Sequence, residues 1–176
     1  FMDLARAQPG VLNFGSPGNG SLPHMGIALF QQLSGTSIVH VPYKGDGPAL
    51  SDLLGGQIQL MMSSGAATDP YVKVGRLRAL AVTSEQRSRA KPDLPAISEL
   101  VPGYSVDAWA GMWAPAGTPK EIISRLNQSV ARILKLPEVQ ERLRAGGAEP
   151  AHTTPEEFAR VIARDIAKWS KVVKAG

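Results

Sequence analysis

Val11-Leu12-Asn13-Phe14, then Gly15-Ser16-Pro17-Gly18-Asn19-Gly20-Ser21, then Leu22 to Leu33 is the stretch on which the fold turns. An apolar tetrapeptide reads as a short strand, and the glycine-rich run after it as a tight turn. Met25, Ala28, Leu29, Gln32 and Leu33 then track one face of a helix that Gly35 ends. Strand, turn and helix in that order predict a βα unit. The same sequence of signals recurs downstream. Ser37-Ile38-Val39-His40-Val41 predicts a strand, Pro48 to Leu54 a helix closed by Gly55-Gly56, and Ile58 to Met62 a strand. A helix near Ala66 to Val74 and a strand over Leu77 to Val82 complete the series. Strands interleaved with short helices favour a parallel sheet joined by right-handed crossovers, so the expected class is α/β. Upstream, residues 2–8 read as the last turns of a helix already under way, an expectation that the 176 residues belong to a longer chain.

The second half changes character. Residues 84–104 read as a surface connection with one short helix near Ala96 to Leu100. Val106 to Ala114, with Trp109 and Trp113, reads as extended and buried. Thr118-Pro119-Lys120-Glu121 and Thr154-Pro155-Glu156-Glu157 each place Thr as N-cap, Pro at the first helical position and Glu three residues after the cap. The first of these helices carries Ile122, Ile123, Leu126, Val130, Ile133 and Leu134. The last carries Phe158, Val161, Ile162, Ile166, Trp169 and Val173, with a short helix from Pro137 to Arg144 between them. Such stripes are expected to be core.

Composition narrows the function classes. With 43% hydrophobic and 19% charged residues the chain is globular rather than disordered. Its 18 glycines and 14 prolines imply many tight turns. No cysteine is present, which excludes disulfides, thiolate metal sites and cysteine nucleophiles. A net charge of +4 without a basic block reads as a mixed solvated surface, so no nucleic-acid partner is expected. Apolar runs fall far short of the roughly 18 residues that a membrane span needs.

The turn at Gly15–Ser21 is where chemistry is expected. A helix N-terminus leaves its first amides unpaired, its dipole favours negative charge, and glycines allow close backbone approach. Ser16, Gly18, Asn19, Gly20, Ser21 and His24 therefore form a candidate small-anion cradle, although a βα turn with Ser21 as an ordinary N-cap has the same pattern. Nucleotide loops do not fit, because Leu22 stands where a lysine would follow and Pro23 where a third glycine would. Tyr43 and Lys44 follow the second strand and Ser63 and Ser64 the third, so three strand ends present small polar groups on one edge. Ser21 and His24 lack nucleophile-and-base spacing. His24, His40 and His152 lack metal-ligand spacing, so neither a metal nor a cofactor is expected. An enzyme on this loop would need His24 or Lys44 as its base.

Pro9 through His24, Val39-His40-Val41-Pro42-Tyr43-Lys44-Gly45, Leu53-Leu54-Gly55-Gly56-Gln57, Leu77 to Ser84 and Ala114-Pro115-Ala116-Gly117-Thr118-Pro119, in this order, resemble the Bug-type substrate-binding receptors of tripartite tricarboxylate transporters. The resemblance implies a non-enzymatic periplasmic receptor of the type II binding-protein fold. Such a receptor takes a small organic carboxylate (a di- or tricarboxylate, an amino acid or an aromatic acid) and passes it to membrane permease subunits. It implies that residues 1–105 are most of the second lobe, that 106–176 form a crossover strand and helices packing toward the first lobe, and that the N-terminal lobe is absent from this chain. It places the Ser16–His24 loop in the carboxylate site and Trp109 beside the cleft, with association expected through faces the absent lobe leaves uncovered. Ser63 and Ser64 stand where many relatives carry Asp-Asn, a departure that bears on ligand choice. A ligand-sensing module of a signalling protein and a small-anion α/β enzyme are the alternatives.

Overall fold

The computed structural model describes residues 1–175. The chain divides into two units, residues 1–108 together with the end of the last helix from Val172, and residues 109–171. The first unit holds helix α1 (Met2–Ala7), strand β1 (Asn13–Ser16), α2 (Leu22–Ser34), β2 (Val39–Pro42), α3 (Asp46–Leu54), β3 (Leu60–Met61) and α4 (Gly65–Lys73). The strands form one parallel sheet in the order β2-β1-β3, with Phe14 beside His40 and Leu60. Because the chain steps from β1 to β2 and then back across β1 to β3, right-handed crossovers put α2 and α3 on opposite faces. The side chains agree. A methyl on Gly15 would collide with Ile58 and touch Ala49 of α3. On the other face Phe14 lies 6.4 Å from the His40 ring, which stacks on His24 of α2. Phe14, Ile27, Phe30, Ile38, Ala49 and Tyr104 are buried around this sheet. Gln32 donates to the Val172 carbonyl at 3.2 Å, tying the last turn of α7 (Pro155–Ala175) to this unit.

Several expectations are corrected. β1 starts at Asn13 and runs through Ser16, two residues later than expected, because the chain is still turning at Gly10 (φ +74°), whose N–H reaches the Ser37 carbonyl. Leu77 to Val82 is no strand. A strand needs a ladder partner, and only Val82 finds one, a parallel bridge to Ala96. The 84–104 connection is held over that bridge by a two-pronged ion pair of Arg87 with Glu99 at 2.7 Å. The guanidinium, with the Ala96 N–H, pulls the Glu99 carboxyl down to about 2. The short helix expected there is a 3-10 turn at Ile97–Glu99.

The second unit contains α5 (Lys120–Ile133), α6 (Pro137–Ala145) and the main part of α7. The Trp109–Ala114 segment is extended but not buried, with Trp109 41% and Trp113 67% exposed. Within their unit the two indoles share one neighbour, the Phe158 ring, at 5.1 and 5.5 Å, and their outer faces stay open. The expected core stripes are likewise open, since Ile122, Leu126, Ile133 and Ile166 are all exposed. A helix stripe is buried only when another layer packs on it, and the strands all belong to the first unit. No helix among the described residues is long and apolar enough to cross a membrane.

The two Thr-Pro signals part ways. At Thr154 the capping box closes, with the Thr154 N–H on Glu157 Oε2 at 2.8 Å and the Glu157 N–H on Thr154 Oγ1 at 3.2 Å. The Glu157 carboxyl is held below its ordinary range, first by the Thr154 N–H. At Thr118 the hydroxyl donates to the Pro115 carbonyl instead, and α5 begins after Pro119 with no side-chain cap. Thr154→Ala is therefore expected to cost about 1 kcal/mol and Thr118→Ala distinctly less, as read from urea denaturation midpoints.

Candidate functional site

Parallel strands send all their carboxyl ends to one edge, and ten of the eleven candidate residues lie in the three turns that leave it or at their flanks, Ser16 ending β1 and His24 in the first turn of α2. Ser16 ends β1 and is fully buried. Its Oγ accepts the Gly18 N–H at 3.2 Å, donates to the Gly18 carbonyl at 3.1 Å and stands 2.6 Å from His40 Nε2. Ser21 caps α2 as expected. Its Oγ accepts the His24 N–H at 3.4 Å and donates to the Gly18 carbonyl at 2.7 Å. His24 Nδ1 accepts the Gly20 N–H at 3.1 Å. Gly18 and Gly20 have φ of +141° and +74°, which side-chain-bearing residues rarely adopt, so both glycines are needed for this path.

These bonds leave a particular set of donors. Pro17 and Pro23 have no N–H, the Gly18 and Gly20 amides are taken by Ser16 and His24, and the Ser21 amide reaches the Gly18 carbonyl at 3.3 Å. The Asn19 and Leu22 amides have no acceptor among the described residues. Asn19 is exposed and adds a side-chain amide beside them. The loop thus leaves two backbone donors without an acceptor, beside the exposed Asn19 side chain, at the positive end of a 13-residue helix, which suits a small anion.

The other turns contribute less directly. The Tyr43 hydroxyl donates to Asp52 Oδ2 at 2.7 Å, and that hydrogen bond, with burial and the nearby charge, raises its pKa. The Tyr43 N–H meets the Ser16 carbonyl at 2.9 Å, fastening the second turn to the first, while Lys44 is exposed. Ser63 and Ser64 are exposed, and Ser64 stands at the start of α4 without a side-chain cap bond. Lys91, on the 84–104 connection, pairs with Asp69 of α4 and reaches over Gly65. Trp109 belongs to the second unit, where its indole N–H donates to Asp165 Oδ2 at 2.7 Å.

His40 was absent from the sequence-derived set. The signal that brings it in is register. Its place beside Phe14 in a parallel pair sets its ring on the face of β1 that also carries Ser16, two residues on. Burial, and then the charge of His24, push the His40 pKa down. Ser16 and His40 have the separation of a nucleophile and its base, but the serine is sealed and its oxygen is bound on three sides. The chemistry on offer is binding. Among the described residues no group of three His, Asp or Glu side chains is placed to hold a metal.

A family model described as "Tripartite tricarboxylate transporter family receptor" matches residues 1–176. The chain is 37% identical over 170 residues to Protein BugT of Bordetella pertussis (strain Tohama I), an alignment covering 96% of this chain and 52% of that one. The chain thus spans about half the length of the first curated relatives it matches. Among solved structures it resembles R. palustris Rpa4515 with adipate, at a TM-score of 0.85 and 38% identity over 98% of this chain and 58% of the other. It also resembles MatC (Rpa3494) from Rhodopseudomonas palustris with bound malate, at a TM-score of 0.76 and 30% identity over 98% and 60%.

Proposed function

Because this chain belongs to the tripartite tricarboxylate transporter receptor family, whose members are receptors rather than enzymes, we propose that it captures a small organic carboxylate outside the cytoplasm and delivers it to a tripartite membrane permease. The observation that carries this reading is the loop at Ser16–His24, which spends its side chains on its own shape and leaves backbone donors for an anion. Carboxylates in two structural relatives, adipate and malate, fit that chemistry. A periplasmic location is the setting named for relatives such as periplasmic binding protein BugD. Residues 1–105 act on this reading as the second lobe. Residues 106–176 act as the return toward a first lobe, whose packing would cover the open apolar faces of α5 and α7.

The test is a thermal-shift screen of the full reading frame against adipate, malate, other di- and tricarboxylates, amino acids and aromatic acids, followed by calorimetry. At least one carboxylate is expected to raise the melting temperature and bind at micromolar strength, whereas these 176 residues alone bind it weakly or not at all. Stabilisation by no carboxylate would overturn the proposal.

A further inference from the structure

The loop is held by two imidazoles, one bonded to Ser16 and the other to the Gly20 amide. Ser16 Oγ accepts the Gly18 N–H and has its own proton to share between the Gly18 carbonyl and His40. His40 Nε2 stands 2.6 Å from the same oxygen, and the neutral imidazole can meet it either as donor or as acceptor. His24 accepts the Gly20 N–H at Nδ1, so that nitrogen carries no proton. The two rings stack with centroids 4.1 Å apart and planes 24° from parallel. Gly18 and Gly20, the two loop residues with positive φ, are thus held through one continuous chain, Ser16–His40–His24.

We propose that His40 is a positioning residue for the anion loop: acting through Ser16 and the stacked His24, it keeps Gly18 and Gly20 in place while its ring is neutral, and acid opens the loop. The inference rests on the reading that this loop holds the carboxylate. A proton on His40 is opposed by burial and by the charge of the stacked His24, and moving the ring to relieve this takes it off Ser16.

The surroundings do not offset this. From α2 the titratable group facing His40 is His24, and from β1 the neighbours are Phe14 and Ser16. Beyond the end of β2, Tyr43 is bonded to Asp52 of α3. No carboxylate among the described residues pairs with either ring. Burial and the His24 charge both disfavour the cationic form of His40. Folding therefore holds the ring less protonated than the unfolded chain does. The stabilisation is complete above the ordinary imidazole value of 6.5 and is lost as pH falls below it. An added positive charge would also attract a carboxylate, but at a part-exposed site that attraction is screened by water and salt, whereas a released loop loses its aligned donors.

The test follows the Gly18 and Gly20 amide resonances of the full reading frame from about pH 7.5 to about pH 5.5, with calorimetry of adipate over the same range. Both amides are expected to move together with the His40 imidazole Cε1 proton, and adipate to bind about tenfold more weakly at the acid end. In His24→Gln/His40→Gln, whose amides can accept and donate at the same positions without titrating, the ratio of affinities across the range is expected to collapse to about one whatever their absolute value. Amide shifts that ignore the imidazole titration, or a double variant that keeps the pH dependence, would overturn the proposal. Amides that follow the titration in a protein that binds no carboxylate at any pH would uphold the latch and sink the carboxylate reading.

Discussion

Phe14→Ala is expected to destabilise the first unit by about 3–5 kcal/mol, the range found for deleting a fully buried phenylalanine. Phe14 is 1% exposed and lies on the central strand, in register with His40 on one side and Leu60 on the other. No neighbouring strand can shift to fill the space, because β1 is hydrogen-bonded on both edges. The loss also removes the ring beside the His40 imidazole, 6.4 Å away, so the cavity opens under the histidine stack. Since a domain of this kind has only about 5–15 kcal/mol of stability, the loss removes a large share of it. Urea denaturation at unchanged m-value is the measurement. Phe14→Leu, which keeps most of the volume, is expected to cost about 1 kcal/mol. A cost below about 1 kcal/mol for the alanine would mean that Phe14 does not anchor the sheet.

Patterns of local origin were legible in the sequence, and features set by distant partners were not. The alternation of short apolar runs, glycine stops and helical stripes is written within each βα unit, so the parallel sheet, its helices and the three polar strand ends could be read directly. Leu77 to Val82 carries the same apolar signal as the true strands, yet whether it pairs depends on what lies beside it, and only Ala96 does. The Thr-Pro pairs at 118 and 154 make the same point, because the motif is shared and the cap is not. Thr118 Oγ1 has the Pro115 carbonyl within 2.8 Å, and Thr154 Oγ1 takes the Glu157 amide.

The candidate site divides in the same way. The glycine-rich loop and the turns at Tyr43 and Ser63 are local features. That Ser16 is sealed, and that His40 bonds it, depends on a register across 24 residues of sequence. The stripes of α5 and α7 mark what a helix is built to bury, yet Ile122, Leu126, Ile133 and Ile166 are exposed, because burial depends on a packing layer that the stripe itself does not name. The link to carboxylates came from the family resemblance. Spacing by itself reached only a small anion.

Ser21→Leu, in the full reading frame, is expected to weaken carboxylate binding more than 100-fold, about 2.7 kcal/mol or more. Ser21 is the staple of the loop. Its hydroxyl donates to the Gly18 carbonyl at 2.7 Å and accepts the His24 N–H at 3.4 Å, joining the glycine turn to the first turn of α2. Leucine makes neither bond. Each lost hydrogen bond contributes about 0.5–1.5 kcal/mol to holding the loop, and the N-cap is worth about 0.5–2 kcal/mol to the helix. The larger consequence is geometric. The Asn19 and Leu22 amides, before and after Ser21 in the turn, are the donors left without an acceptor, and their arrangement depends on the loop keeping its path. A leucine side chain in the same space would also exclude a carboxylate sterically. Ser21→Ala separates the two effects, since it loses the bonds but adds no bulk, and about a tenfold loss is expected of it. If Ser21→Leu binds a carboxylate as tightly as the parent, the ligand does not sit on this loop. If the alanine falls as far as the leucine, the loop depends on its staple alone, and steric exclusion plays no part.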